Sequence, residues 1–349
     1  MMDFDFTEEQ QMLGESLART LERGGDAAAV YDLGAGAALM DEAAGGFGGT
    51  GRDILAVFRT LGQAGAVSPL LDSVVLGAGV LAAAGEGELA EAAAAGTARI
   101  AVALGEPGQR YDYGSGATRA ESDRLSGAKS LVAGAEDATH LIVSATDGLW
   151  LVAADAPGLS MRGYPLMDGG RAAEVTLDGV PARRLGDAAL LDRPMAAAIL
   201  ATCADALGGM ERAVDLTADY LRTRKQFGRP IGSFQAIQHR MADLLVEVEQ
   251  ARSATWNLAA HLDAPDRDRH VAATKSLVGR VARRVAEEMI QLHGGIGMTE
   301  EYDAAPLARR LIAADARFGD SDHHLERFIA LSAADAAPDA APDAAPDAT

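Results

Sequence analysis

Cysteine is almost missing from this chain: Cys203 is the only one. A single thiol forms neither an internal disulfide nor a thiolate cage, and with no His-Glu-x-x-His or paired-cysteine spacing, no metal site is expected. Positive charge is scarce too, with 31 Lys and Arg against 51 Asp and Glu and a net charge of −20. Neutralising a nucleic-acid backbone needs a basic face, so general nucleic-acid binding is excluded and any phosphate-bearing ligand has to be held by local arginines. Long apolar runs are absent as well. Although 48% of the residues are hydrophobic, no run approaches the roughly 20 residues that a membrane-spanning helix requires. The N-terminal MMDFDFTEEQQ is acidic and lacks the charged-then-apolar order of a secretory signal, so a soluble, cytoplasmic protein is expected.

What is present reads as several packed units, since 349 residues exceed one ordinary domain. Residues 1–97 alternate apolar-spaced stretches such as DILAVFRTLGQAG with Gly/Ala joints, which predicts an N-terminal helical domain. Residues 98–188 change character. RIAVAL, LIVSA, LWLVAA and AEVTL, separated by turn-rich pieces such as GEPGQ and DAPG, predict a middle antiparallel β domain. Helical period returns over 189–332. One helix is expected to start at Ser233 as N-cap, with Phe234, Ile237, Met241, Leu244, Leu245 and Val248 on one stripe. A second carries Val278, Val281, Val285, Met289 and Leu292, and LDAPDRDRH marks the turn between the two, giving a four-helix-type bundle. Residues 333–349 form an Ala-Ala-Pro-Asp repeat with nothing to bury and are expected to be disordered. The fold class is therefore α+β multidomain, mainly α.

Two segments carry phosphate-compatible chemistry. In RTRKQFGRPIGSFQAIQHRMADL (222–244), Arg224 offers a planar fork of donors, and Gln226 and Gln235 offer neutral amides. In QLHGGIGMTEEY (291–302), Gln291 precedes Gly294 and Gly295, which let backbone N–H groups approach a ribose or phosphate that a Cβ would repel. A plainer reading stands beside each: cations followed by Gly228 also end an ordinary helix, with glycine as the left-handed cap, and Gly294 could be a second such cap. His293 is expected to be a packed residue.

These two segments, with the weaker ALGEPG (103–108), the opening DFDFTEEQQML and the order helices, sheet, bundle, resemble the acyl-CoA dehydrogenase family. The resemblance implies an FAD-dependent α,β-dehydrogenation of acyl-CoA thioesters, with electrons passing to an electron-transfer flavoprotein. It further implies that Arg224, Gln226, Phe227, Gln235, Gln291, Gly294 and Gly295 hold the ADP half of FAD, in the family the flavin of a neighbouring subunit. Catalysis there needs a carboxylate at the substrate α-carbon. The chain departs from the pattern at both places where the family keeps that glutamate. The Tyr-Glu-Gly-Thr loop reads Arg317-Phe318-Gly319-Asp320, so the base position is Phe318, and the alternative on the first bundle helix is Ala198. Asp192 and Asp205 are expected to be badly placed to substitute, and Asp320 is the fallback base. The ring side of the flavin site departs too. Gly105-Glu106-Pro107 replaces Thr-Glu-Pro, Gln109-Arg110-Tyr111-Asp112 replaces Gly-Ser-Asp, and Leu131 and Ala133 stand where an aromatic and a hydroxyl belong.

An intact ADP side beside a depleted ring side resembles the short, base-lacking subunit of the heteromeric (α2β2) acyl-CoA dehydrogenases of bacterial sterol side-chain degradation. The curtailed YDLGAGAALMDEAAGGFGG stretch fits a widened site for bulky substrates. The expectation is a non-catalytic subunit paired with a catalytic partner chain. The alternatives are a self-sufficient homotetramer using Asp320 or another residue as base, and a structural subunit that binds no FAD.

Overall fold

The computed structural model describes residues 5–111, 113 and 116–336. Six helices come first: α1 (Glu8–Glu22), α2 (Ala27–Asp32), α3 (Ala35–Ala38), α4 (Gly51–Ala64), α5 (Gly79–Ala83) and α6 (Gly87–Ala94), with a π-helical stretch, Leu70–Ala78, running directly into α5. The longer ones start where sequence chemistry dictates. Thr7 and Thr50 cap α1 and α4, and the third residue of each helix, Gln10 or Asp53, bonds back to close a capping box. The face of α4 that carries Ile54, Leu55, Phe58 and Leu61 is buried in the main core.

The middle region holds β1 (Ile100–Ala103), β2 (Arg119–Glu121), β3 (Arg124–Ala133), β4 (His140–Ala145), β5 (Gly148–Ala153), β6 (Leu159–Pro165), β7 (Arg171–Pro181) and β8 (Arg183–Gly186). They form two four-stranded sheets, ordered β1-β4-β5-β8 and β2-β3-β7-β6. Pairing is antiparallel, as the turn-rich spacing predicts, except that β1 runs parallel to β4. The four β-branched runs became β1, β4, β5 and β7. The other strands carry Gly, Ser and Arg in place of such runs, and β3 bends at a bulge between Lys129 and Val132.

The C-terminal region comprises α7 (Asp192–Thr223), a hairpin of β9 (Lys225–Gln226) and β10 (Arg229–Pro230), then α8 (Gln235–Ala260), α9 (Arg267–His293), α10 (Ala304–Ala316) and α11 (Ser321–Ala336). On α9, Val278, Val281, Val285 and Met289 are all at most 2% exposed. Two local expectations fail. Ser233 does not cap α8: a single 3-10 turn over Ile231–Ser233 intervenes, the Ser233 hydroxyl donates to the Pro230 carbonyl, and the helix starts after Phe234. Leu245 leaves the buried stripe and lies 47% exposed, while Leu244 and Val248 face the core. α11 extends to Ala336, into the segment assigned to the repeat tail, and residues 337–349 lie outside the described part.

Two glycines bring the N-terminal helices hard against the bundle. A Cβ on Gly62 of α4 would sit 2.0 Å from the Asp205 carbonyl oxygen of α7, and one on Gly208 of α7 would sit 2.0 Å from the Arg59 carbonyl oxygen of α4. Nothing larger than hydrogen fits at either position, so this contact fixes the distance between the two helices. Glu211 adds a polar tie, accepting from Arg59, Gln63 and Arg252 on α4 and α8.

Candidate functional site

Where the three regions meet there is a cavity of about 500 Å³. Its walls come from the π-helical stretch (Leu71, Asp72), α7 (Thr202, Asp205), α10 (Arg310, Ala314) and the turn after it (Arg317), with the 166–171 loop of the β region as rim. π-helical turns recur at functional sites because they redirect side chains out of helical register. Here the turn directs Asp72 to Arg317, with which it forms an ion pair. A second pair crosses the same space. Arg310 grips Asp205 through two N–H groups at 2.5 and 3.1 Å and donates to the Ala66 carbonyl at 2.7 Å.

Neither position at which the resemblance places a catalytic base lines this cavity, but each sits next to a residue that does, Thr202 or Arg317. Ala198 is fully buried on α7, and Thr202, one turn later on the cavity wall, donates to its carbonyl oxygen at 2.9 Å. Phe318 directly follows Arg317, whose guanidinium lies 5.1 Å from the phenyl centroid. Neither side chain can accept a proton. Asp205 does face the cavity, but its carboxylate is spent on Arg310. Asp192 is the exposed first residue of α7.

Asp320 proves to be the N-cap of α11: its carboxylate accepts from the His323 N–H at 2.9 Å, Arg110 at 2.8 Å and the Tyr111 hydroxyl at 3.2 Å. Burial pushes its pKa up, but the His323 amide, Tyr111 and Arg110 more than reverse this and hold it below the usual range. A carboxylate so stabilised as an anion is a weak base, and all its contacts serve loop geometry. The loop itself is tightly held. Phe318 has φ 57°, its carbonyl accepts from His324 at 3.0 Å, and the buried Lys275 ammonium donates to the Asp315 and Gly319 carbonyls at 2.7 Å each.

On the ring side, Glu106 is 7% exposed and accepts from the Ala117 and Thr118 amides and from Lys129, itself 1% exposed. Burial opposes its charge, yet Lys129 and those amides bring its pKa down to about 2. The GEP segment thus ties Ala117 and Thr118 to Lys129 of β3. Leu131 projects from the β3 bulge, 67% exposed with φ 56°, and offers no polar side-chain atom. Ala133 lies on the cavity wall, and Asp112 falls outside the described residues.

The predicted ADP-side residues lie at the opposite end of the bundle, all exposed. α7 ends at Thr223, and Arg224 follows in extended conformation. Gly228 is not the helix cap considered for it. With Phe227 (φ 52°) it makes the two-residue turn of the β9–β10 hairpin, where both central residues need φ > 0. Phe227 is 91% exposed at this tip, its ring edge-on to Phe234 at 6.1 Å. Gln235 opens α8. Gly294 does follow α9 with φ 67°, and a Cβ on Gly294 or Gly295 would have no neighbour within 4 Å. Gln291 lies on the last turn of α9. The two segments emerge side by side, because Tyr220 stacks on His293 at 4.5 Å and donates to its carbonyl at 3.2 Å. His293 is packed, as expected, with Nδ1 on the Met289 carbonyl and burial lowering its pKa.

Sequence reasoning missed Asp72 and Arg310. A lone carboxylate within the apolar SPLLDSVVLG run was the available signal for Asp72, and Arg310 had none. Arg317, where the family loop has tyrosine, was seen only as a departure from pattern.

Residues 193–330 match the acyl-CoA dehydrogenase C-terminal domain family. FadE28, an acyl-CoA dehydrogenase of Mycobacterium tuberculosis, is 33% identical over 312 residues, spanning 86% of this chain and 90% of that protein. IpdE2, an acyl-CoA dehydrogenase of the same organism, is 33% identical over 85% of this chain and 88% of its own length. Among solved structures, the ChsE4-ChsE5 complex from M. tuberculosis aligns with a TM-score of 0.87 at 28% identity, covering 97% of this chain and 100% of that one. The Tcur3481-Tcur3483 steroid ACAD aligns with a TM-score of 0.86 at 31% identity over 95% and 99%. No helix among the described residues is long and apolar enough to cross a membrane. Helices, paired sheets and bundle around one cavity, in a chain one-third identical to FadE28 across nine tenths of that protein, belong to the acyl-CoA dehydrogenase family.

Proposed function

We propose that this chain is the non-catalytic subunit of a two-chain, FAD-dependent acyl-CoA dehydrogenase. The observation that carries the reading is the pairing of two proton-inert base positions, Phe318 and Ala198, next to the cavity-wall residues Arg317 and Thr202, with a set of flavin-motif residues turned outward at the far end of the bundle. An exposed Arg224 fork, an aromatic ring held 91% exposed on a left-handed backbone, and two glycines with open space above them make a cradle that suits a pyrophosphate and ribose. Bound FAD supplies the hydride acceptor. Arg224 neutralises its phosphates, Phe227 packs along it, Gly294 and Gly295 present backbone N–H groups, and Gln226, Gln235 and Gln291 bond neutral oxygens. The ring half finds no such support in this chain, where Leu131 and Ala133 bring no polar side-chain atom. The base then comes from the catalytic partner chain, and an electron-transfer flavoprotein accepts the electrons. Similarity to a steroid ACAD supports steroid-derived acyl thioesters as substrates of the complex.

Flavin content and native mass test the reading. Expressed alone, the chain is expected to be flavin-poor and inactive; co-expressed with a base-bearing acyl-CoA dehydrogenase chain from the same genome, it is expected to form a tetramer with about one FAD per heterodimer. A chain that is yellow, self-assembled and active alone overturns it.

A further inference from the structure

The cavity lined by Thr202 and Arg317 has not collapsed, although the two family base positions beside these residues hold alanine and phenylalanine. Its volume of about 500 Å³ falls within the roughly 300–1,000 Å³ of ordinary ligand pockets, so space alone excludes nothing. What distinguishes it is charge. Arg317 pairs with Asp72 and Arg310 with Asp205, all four side chains retain between 15% and 31% exposure, and Asp168 adds a further carboxylate near both arginines. All four side chains line the chamber, so water that hydrates them there is lost when a ligand fills it. An apolar chain laid there would strip that water and return no hydrogen bond, whereas arginine cannot discharge to relieve the cost.

We propose that the Asp72–Arg317 and Asp205–Arg310 pairs turn this cleft into a hydrated chamber that rejects apolar acyl groups, so that acyl-CoA is left to the partner's site. The inference rests on the non-catalytic reading and assigns its specificity-determining residues. It also gives the pairs a purpose: a cleft without a base that still bound substrate would sequester it unproductively.

The test measures binding of octanoyl-CoA and of free CoA to the full-length chain by calorimetry, so that the acyl contribution is read as the ratio of the two affinities. The unmodified chain is expected to bind octanoyl-CoA no more tightly than CoA. Asp72→Leu with Arg317→Met keeps the bulk and removes the charges, and is expected to raise the octanoyl-CoA preference about tenfold. A strong octanoyl-CoA preference in the unmodified chain, or no gain in the double variant, overturns the proposal. Should that variant fail to fold, Asp205→Leu with Arg310→Met carries the same expectation. FAD content on the same samples keeps the two ideas apart. A chain that is flavin-loaded and active alone sinks the non-catalytic reading, while a flavin-poor chain that prefers octanoyl-CoA sinks only the exclusion.

Discussion

His324 bonds to the carbonyl of Phe318 from a site that is 1% exposed, and it is the residue through which pH reaches the loop bordering the cavity. Burial pushes its pKa from 6.5 down to about 4, with Lys275 and Arg327 adding to the fall against the bond to Phe318. The unfolded chain therefore takes up a proton first. Its contribution is intact above the unfolded value of 6.5 and is lost as pH falls towards 4, a span worth about 3 kcal/mol. His324→Gln keeps a donor for the carbonyl and removes the titration. Urea midpoints at pH 7 and pH 4.5 are expected to differ less in that variant than in the unmodified chain; equal differences would mean that His324 is not buried neutral. Phe318 teaches a related lesson. Its sequence position announces a missing base, but its left-handed backbone and partial burial against the core show that the loop was retained as a packed turn.

At the scale of elements, α9, α10 and α11 are joined through one ammonium. Lys275 projects from α9 and satisfies the carbonyls of Asp315, near the end of α10, and of Gly319, in the turn to α11. A cation at a helix C-terminus meets carbonyls that lack intrahelical partners and the negative end of the dipole. Burial lowers its pKa while the carboxylates of Asp315 and Asp320 work to keep it charged. Lys275→Met would leave two buried carbonyls unpaired and is expected to cost about 2–4 kcal/mol, measured by urea unfolding. Amide exchange should quicken first at 317–323, ahead of α4. Uniform quickening across the bundle would show that Lys275 serves global stability and has no local hold on the loop.

For the whole molecule, the two ends of the bundle do different work. The cavity end is closed upon itself by ion pairs, while the hairpin end presents Arg224 with no side-chain partner among the described residues. Arg224→Ala is therefore expected to leave the chain's own melting temperature within about 1 °C, since exposed unpaired side chains contribute little to stability. In the co-expressed complex it is expected to weaken FAD retention about tenfold or more, read as flavin-to-protein ratio after dialysis. Unchanged flavin content would favour a purely structural subunit.

The sequence by itself determined the features that depend on neighbours along the chain. The stripe of α9, the four β-branched strands, the turn between α8 and α9 and the two glycine-bearing segments were all legible, because helical period, strand alternation and turn chemistry are local. Ser233 misled because one extra 3-10 turn shifts a cap without changing its residue type. Gly228 misled because a helix cap and a hairpin turn both call for a left-handed residue. The tertiary structure alone decided the character of the cavity. Asp72 and Arg317 are 245 positions apart, and Asp205 and Arg310 are 105 apart. No periodicity records such pairs. They meet because α7 packs against both α10 and the π-helical stretch, and each such contact is a property of two surfaces, which neither segment carries in its own sequence.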